Sequence, residues 1–186
     1  ADFPEIRMFQ VDRQTAWTPQ HDLRGSWKIC SPEVVRKYSA VGYYFSRRLH
    51  QELEVPVGFI LSAWGGTAAD AWTPEEAILA DSVVATAATD VQTNRSSPRA
   101  PGILYNAMIH PLVDYKISGI LWYQGESNRW RPSTYKELMV VLINSWREKW
   151  GENLPFYFVQ IAPYDYSVRG DNPGYLIREA QLQTLE

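Results

Sequence analysis

Two short segments gather the side chains best suited to polar chemistry. The first, Gln124-Gly125-Glu126-Ser127-Asn128, sets two amides, a carboxylate and a hydroxyl in one run. Gln124 or Asn128 could donate a hydrogen bond to an oxyanion, and Glu126 could orient a donor or accept from a sugar hydroxyl. An Asx or Ser turn leading into a helix would use the same residues. Ser127 lacks the G-x-S-x-G setting of an exposed nucleophile and is not expected to be one. The second segment is Trp64-Gly65-Gly66-Thr67. Glycine tolerates positive φ and lets a ligand approach the backbone, and two successive free amides can cradle an anion. A plain chain reversal is the simpler alternative. The glycine spacing and lysine of a phosphate-binding loop are missing. Asp70, a few residues on, is expected to fix the shape of this loop.

Other chemistry finds little support. Of the three histidines, His50 sits beside Leu49 in a helical pattern and reads as structural. His21 lies in a loop. His110 is the residue-based choice of a general base, with no local Ser or Asp partner, although a triad need not be local. Asp70, Glu75, Glu76, Asp81, Glu126 and Asp171 show no spacing that singles out a glycosidase pair, and no two histidines stand at metal spacing. No metal or cofactor is therefore expected. The one cysteine, Cys30, excludes an intrachain disulfide; a buried thiol is the first reading and a bond to another chain the second. A net charge of -3 with no basic block gives no nucleic-acid surface, and no apolar run is long enough for a membrane helix. Eight tryptophans and eleven tyrosines suit sugar faces, cores or interfaces alike.

The elements that must carry these loops follow from periodicity. Ile6–Val11 reads as a short strand and 12–30 as a long polar loop. Ser31-Pro32 opens a helix whose apolar face is Val34, Tyr38, Val41, Phe45, Leu49 and Leu53. Val55–Ser62 is a strand apolar on both faces, as buried parallel strands are. Thr73-Pro74-Glu75-Glu76 has the form of a capping box for a helix reaching about Ala88, and Thr134 with Glu137 forms a second. The stretch 92–102 is read as loop. Ile117–Trp122 and Leu154–Ile161 are strands. Tyr135, Leu138, Met139, Leu142, Ile143 and Trp146 make a helical face. Residues 162–174 are a loop, and a helix covers Tyr175 to about Leu185. This alternation predicts one α/β domain over residues 1–186, a mostly parallel sheet with helices on both faces. Functional loops of such sheets lie beyond the carboxyl ends of strands, where both polar segments fall.

Taken together, the segments Ser39–Phe45, Val55–Gly58, Ala63–Thr67 with Ala71-Trp72, Leu104–Ile109, Trp122–Asn128, Ser145–Arg147 and Arg178–Gln181 resemble the sialate O-acetylesterase family of SGNH (GDSL-like) hydrolases. The resemblance runs through most of the chain in order. It implies a flavodoxin-like three-layer α/β/α sandwich and a serine that attacks acetyl esters of sugars through an acyl-enzyme. It implies that a Gly65 or Gly66 amide and the Gln124 side chain form the oxyanion hole, with Glu126 in support and with Trp64, Asn106 and Asn128 against substrate. The expected substrate is an acetylated sugar or sialic acid derivative, and the expected location is secreted or periplasmic.

The chain contains no GQSN-type serine segment and no Asp-x-x-His pair after Gln181, so the resemblance implies an incomplete fold, inactive alone. On that view Ile6–Val11 is the second strand of the parent and would have a bare edge, so that the piece either needs a further chain or another copy to complete the sheet or folds with an altered edge. A non-catalytic carbohydrate-binding protein on an esterase-like scaffold is the second expectation, and a purely structural or assembly fragment the third.

Overall fold

A computed structural model describes residues 2–93, 98–165 and 173–185. Residues 94–97 of the expected 92–102 loop, most of the 162–174 loop and the carboxylate Asp171 lie outside them. The architecture is mixed α/β with open sheets. The chain divides into two compact units, Ala1–Arg13 with Asp22–Trp64, and Gln14–His21 with Gly65–Glu186.

The first unit is built on β1 (Phe3–Val11), with β2 (Gly25–Cys30) antiparallel on one edge and β3 (Val57–Leu61) parallel on the other. The β1–β3 register runs from Ile6 opposite Val57 to Gln10 opposite Leu61. The bare edge expected on Ile6–Val11 is therefore not found, because β2 occupies it. Its sequence reads as loop, because Gly25–Ile29 is exposed and shows no alternation of buried and exposed residues. The single helix expected from Pro32 to Leu53 is two, α1 (Pro32–Val35) and α2 (Ala40–Leu53). Ser39 causes the break: its Oγ accepts the Gly42 amide and caps a new helix, as Ser31 does for Val34. Ile6, Met8, Cys30 and Tyr43 form the core, with Phe3, Val34, Val35, Tyr38 and Phe59 around them. Cys30 is a free buried thiol whose pKa is raised, chiefly by burial. His50 is structural, its Nδ1 2.8 Å from the Val55 carbonyl oxygen.

The second unit holds the parallel pair β4 (Ile120–Trp122) and β5 (Phe156–Phe158), with α3 (Glu75–Ala80), α4 (Ser82–Thr93), α5 (Tyr135–Trp150) and α6 (Gly174–Gln183). The helix expected from Thr73 to Ala88 is interrupted at Asp81, whose Oδ1 accepts the Val83 and Val84 amides at 3.0 and 2.9 Å. Neither expected capping box forms. Thr73 Oγ1 donates back to the Ala69 carbonyl, and Thr134 makes no side-chain cap. Trp122 and Trp146 meet edge to face, centroids 5.8 Å apart, which seats α5 on β4.

Gly42 of α2 lies so close to Phe59 of β3 that a Cβ would enter the phenyl ring. Overpacking of this kind costs about 1–3 kcal/mol, against a gain of about 1 kcal/mol in helix propensity. Gly42→Ala is expected to lower the urea midpoint; an unchanged or higher midpoint would mean that the ring swings aside without cost.

Candidate functional site

The segment after β3 is locked before any ligand is considered. Ala69–Trp72 forms a short 3₁₀ turn in which all four residues are buried. Trp72 Nε1 donates to Thr67 Oγ1 at 2.9 Å, and Trp146 Nε1 of α5 donates to the Trp72 carbonyl at 3.0 Å. Turning the chain so tightly places Asp70 at 0% exposure. A carboxylate there is tolerable only with charged and hydrogen-bonding partners. Arg131 supplies a two-pronged pairing, one terminal nitrogen on Oδ1 at 3.0 Å and the other on Oδ2 at 2.8 Å. Asn128 Nδ2 donates to the same Oδ2 at 3.1 Å. Arg131 also reaches the Ala87 carbonyl at 2.9 Å.

Asn128 joins the two predicted loops. Its Oδ1 accepts the Ala69 amide at 2.9 Å and Gln124 Nε2 at 2.6 Å. The second hydrogen of Gln124 Nε2 goes to the Thr67 carbonyl at 3.2 Å. The Gly65–Thr67 turn and the Gln124–Asn128 loop thus meet directly, as one shared site requires. Gln124 is held from behind as well. Tyr135 Oη lies 3.0 Å from Gln124 Oε1 and 3.1 Å from its carbonyl, and Gln181 Nε2 of α6 donates to that carbonyl at 2.9 Å. Gln181 Oε1 accepts the Ile161 amide at 3.0 Å. Gly125 is required by close packing: a Cβ would lie 2.8 Å from Ile161 Cγ2 and 3.0 Å from Ile177 Cγ2.

The expected site residues fall into distinct surroundings. Gly65 and Gly66 are exposed, Gly66 at a φ of 79° that favours glycine, and neither amide is paired among the described residues. Gln124 is half-buried with both amide hydrogens engaged. Glu126 begins a 3₁₀ turn over Glu126–Asn128, and its carbonyl accepts from Arg129 at 2.9 Å. Asn128, expected against substrate, is 2% exposed and turned to protein partners. Asn106 Nδ2 donates to the Ala16 carbonyl at 3.2 Å and so anchors the 14–21 segment. Trp64 belongs to the first unit, where the Arg13 guanidinium lies 5.8 Å from its ring centre. His110 Nδ1 is 2.8 Å from the Gln20 carbonyl, and its ring packs against His21 and Tyr105 rather than the Gln124 network. Among the described residues no cluster of His, Cys, Asp or Glu could hold a metal ion.

Arg131 was not singled out from the sequence, and Tyr135 was read only as part of an apolar helical face. The available signal was Asp70 itself, an acid flanked by Ala69, Ala71 and Trp72, which calls for a cation without saying where along the chain it stands.

Burial pushes the Tyr135 phenol up to about 12, with the Glu126 charge adding to the rise and side-chain hydrogen bonds opposing it. Burial likewise raises Tyr105. A raised phenol binds its proton more tightly in the folded state, so its contribution is complete below the ordinary value of 10.0 and is lost as pH climbs toward 12. Urea midpoints of the wild type should fall across that window, and Tyr135→Phe should fall less steeply. Equal slopes would show that Tyr135 is not buried as described.

The family described as carbohydrate esterase, sialic acid-specific acetylesterase, matches residues 2–185. A human sialate O-acetylesterase is 34% identical over 146 residues, covering 74% of this chain and 28% of its own length. The rat sialate O-acetylesterase is 30% identical over 207 residues, covering 88% and 38%. The chain thus spans well under half the length of these curated relatives. The crystal structure of a carbohydrate acetylesterase from Xanthomonas citri superposes with a TM-score of 0.85 at 34% identity, covering 100% of this chain and 41% of that one. Matched by the family from its second residue to its last but one, the chain belongs to the sialic acid-specific acetylesterase family of carbohydrate esterases.

Proposed function

We propose that the protein is a serine-type carbohydrate O-acetylesterase and that this chain supplies the oxyanion side of its active site. One observation carries the reading: Gln124 Nε2 donates to Thr67 O, which brings the side-chain amide against the turn bearing the free Gly65 and Gly66 amides. Donors arranged in advance where negative charge develops are worth more than mobile ones, because no reorganisation accompanies the reaction. The bond to Thr67 O, 3.2 Å, is the longer of the two from Nε2. It is the one an oxyanion would share.

In this mechanism a serine Oγ attacks the acetyl carbonyl carbon while a histidine takes the serine proton. The carbonyl oxygen becomes the oxyanion, held by the glycine amides and Gln124. Its collapse breaks the C–O bond to the sugar, whose oxygen receives the proton from histidine. Water then attacks the acetyl-enzyme, and acetate leaves. The serine and its Asp–His pair are not assigned to residues of this chain, which contains no GQSN-type or Asp-x-x-His segment. Sialic acid derivatives or other acetylated sugars are the substrates, by likeness to the sialate O-acetylesterases of human and rat. The completed fold is a single flavodoxin-like three-layer domain, secreted or periplasmic.

The engagement of both Gln124 amide hydrogens favours one competing reading, a non-catalytic carbohydrate-binding protein on the same scaffold. Assaying the complete protein with acetylated sugars, acetylated sialic acid among them, separates the two. Acetate release is expected, with Gln124→Ala lowering kcat by about 100- to 1,000-fold at little changed KM. Saturable sugar binding without acetate release would establish the binding protein instead.

A further inference from the structure

Resting on the reading of Gln124 as an oxyanion donor, the geometry assigns a role to residues that would touch neither substrate nor reacting atoms. We propose that Asp70, Arg131 and Asn128 are positioning residues that set the direction of the Gln124 amide.

A primary amide turns freely about its last bond, and its oxygen and nitrogen ends are nearly the same shape. Something must therefore hold Nε2, rather than Oε1, toward the Thr67 turn. Asn128 does this by presenting an oxygen, and only a donor can face it. Asn128 could present its nitrogen instead, but the order of its own neighbours decides the matter. The Ala69 amide meets Oδ1 and is a donor that cannot be reversed. The Asp70 carboxylate meets Nδ2 and only accepts. Arg131 fixes that carboxylate in place by gripping both oxygens. At the far end Tyr135 Oη, a donor over the whole neutral range, meets Gln124 Oε1. Donor and acceptor therefore alternate without conflict from Arg131 through Asp70, Asn128 and Gln124 to Tyr135. Reversing Asn128 would set donor against donor at the Ala69 amide and acceptor against acceptor at Asp70, and reversing Gln124 would set acceptor against acceptor at both Thr67 O and Asn128 Oδ1. The chain of bonds is largely buried, where such conflicts are not relieved by water.

The test is a double-mutant cycle on the complete protein with 4-nitrophenyl acetate. Asn128→Ala is expected to lower kcat about 100-fold with KM within about twofold, the size of loss that follows a small misplacement of a catalytic group. In a Gln124→Ala background the same change should lower kcat by about threefold or less, because the group it positions is already gone. Arg131→Lys keeps the charge but loses the two-pronged grip. It should cost about tenfold alone and little in the Gln124→Ala background. Should Asn128→Ala fail to fold, as judged by its melting transition, the Arg131→Lys cycle decides. Losses that multiply in full in both backgrounds would overturn the positioning role and leave the esterase reading standing. A Gln124→Ala variant with unchanged kcat would overturn the oxyanion assignment and the positioning role with it.

Discussion

A carboxylate withdrawn wholly from water is the costly feature around which the second unit is arranged. Stripping an ion of its hydration costs several kcal/mol unless charge and hydrogen bonds replace the lost water. Asp70 meets that requirement with Arg131 and Asn128, 61 and 58 residues away in the chain. Those two residues must therefore come to the Ala69–Trp72 turn, and the Gln124 loop comes with them. Replacing the ion pair by apolar residues of similar volume often stabilises a protein. Here the pair stands beside a turn with free backbone amides, and the role proposed for it is orientation rather than stability.

The surrounding elements hold this arrangement from outside. Trp146 on α5 fixes Trp72, Tyr135 at the start of the same helix faces Gln124, and Gln181 on α6 ties the Gln124 carbonyl to the chain after β5. Thr67, Asn128 and Tyr135 thus meet the Gln124 side chain, and Gln181 meets its backbone carbonyl. Gly125 permits the convergence, because any side chain there would strike Ile161 and Ile177. The Gly65-Gly66 turn stays exposed beside this network.

Much of the scaffold was legible because burial imposes period. Val55–Ser62, Ile117–Trp122 and Leu154–Ile161 enclose β3, β4 and β5, and the α5 face was read from Tyr135 to Trp146. Failures came where local polar chemistry competes with period. Ser39 and Asp81 each begin a new helix through side-chain bonds to amides, where period alone predicts that one helix continues. Thr73 and Thr134 had the spacing of capping boxes, yet Thr73 bonded the preceding turn and Thr134 capped nothing. β2 was hidden because Trp27 and Ile29 are exposed. At the site, the two loops were legible as glycine-rich or polar runs after strands. That Asn128 would be buried, and that Arg131 would pair with Asp70, depends on contacts across some sixty residues, which no local pattern encodes.

The most direct test is a crystal structure of the complete protein with a phosphonate mimic of the acetyl-transfer intermediate bound to its serine. The account requires Gln124 Nε2 and a Gly65 or Gly66 amide to lie about 3 Å from the same phosphonyl oxygen, with Asn128 still seated on Asp70. A phosphonyl oxygen held by other donors, with Gln124 turned away and its bonds to Thr67 and Asn128 unchanged, would contradict it.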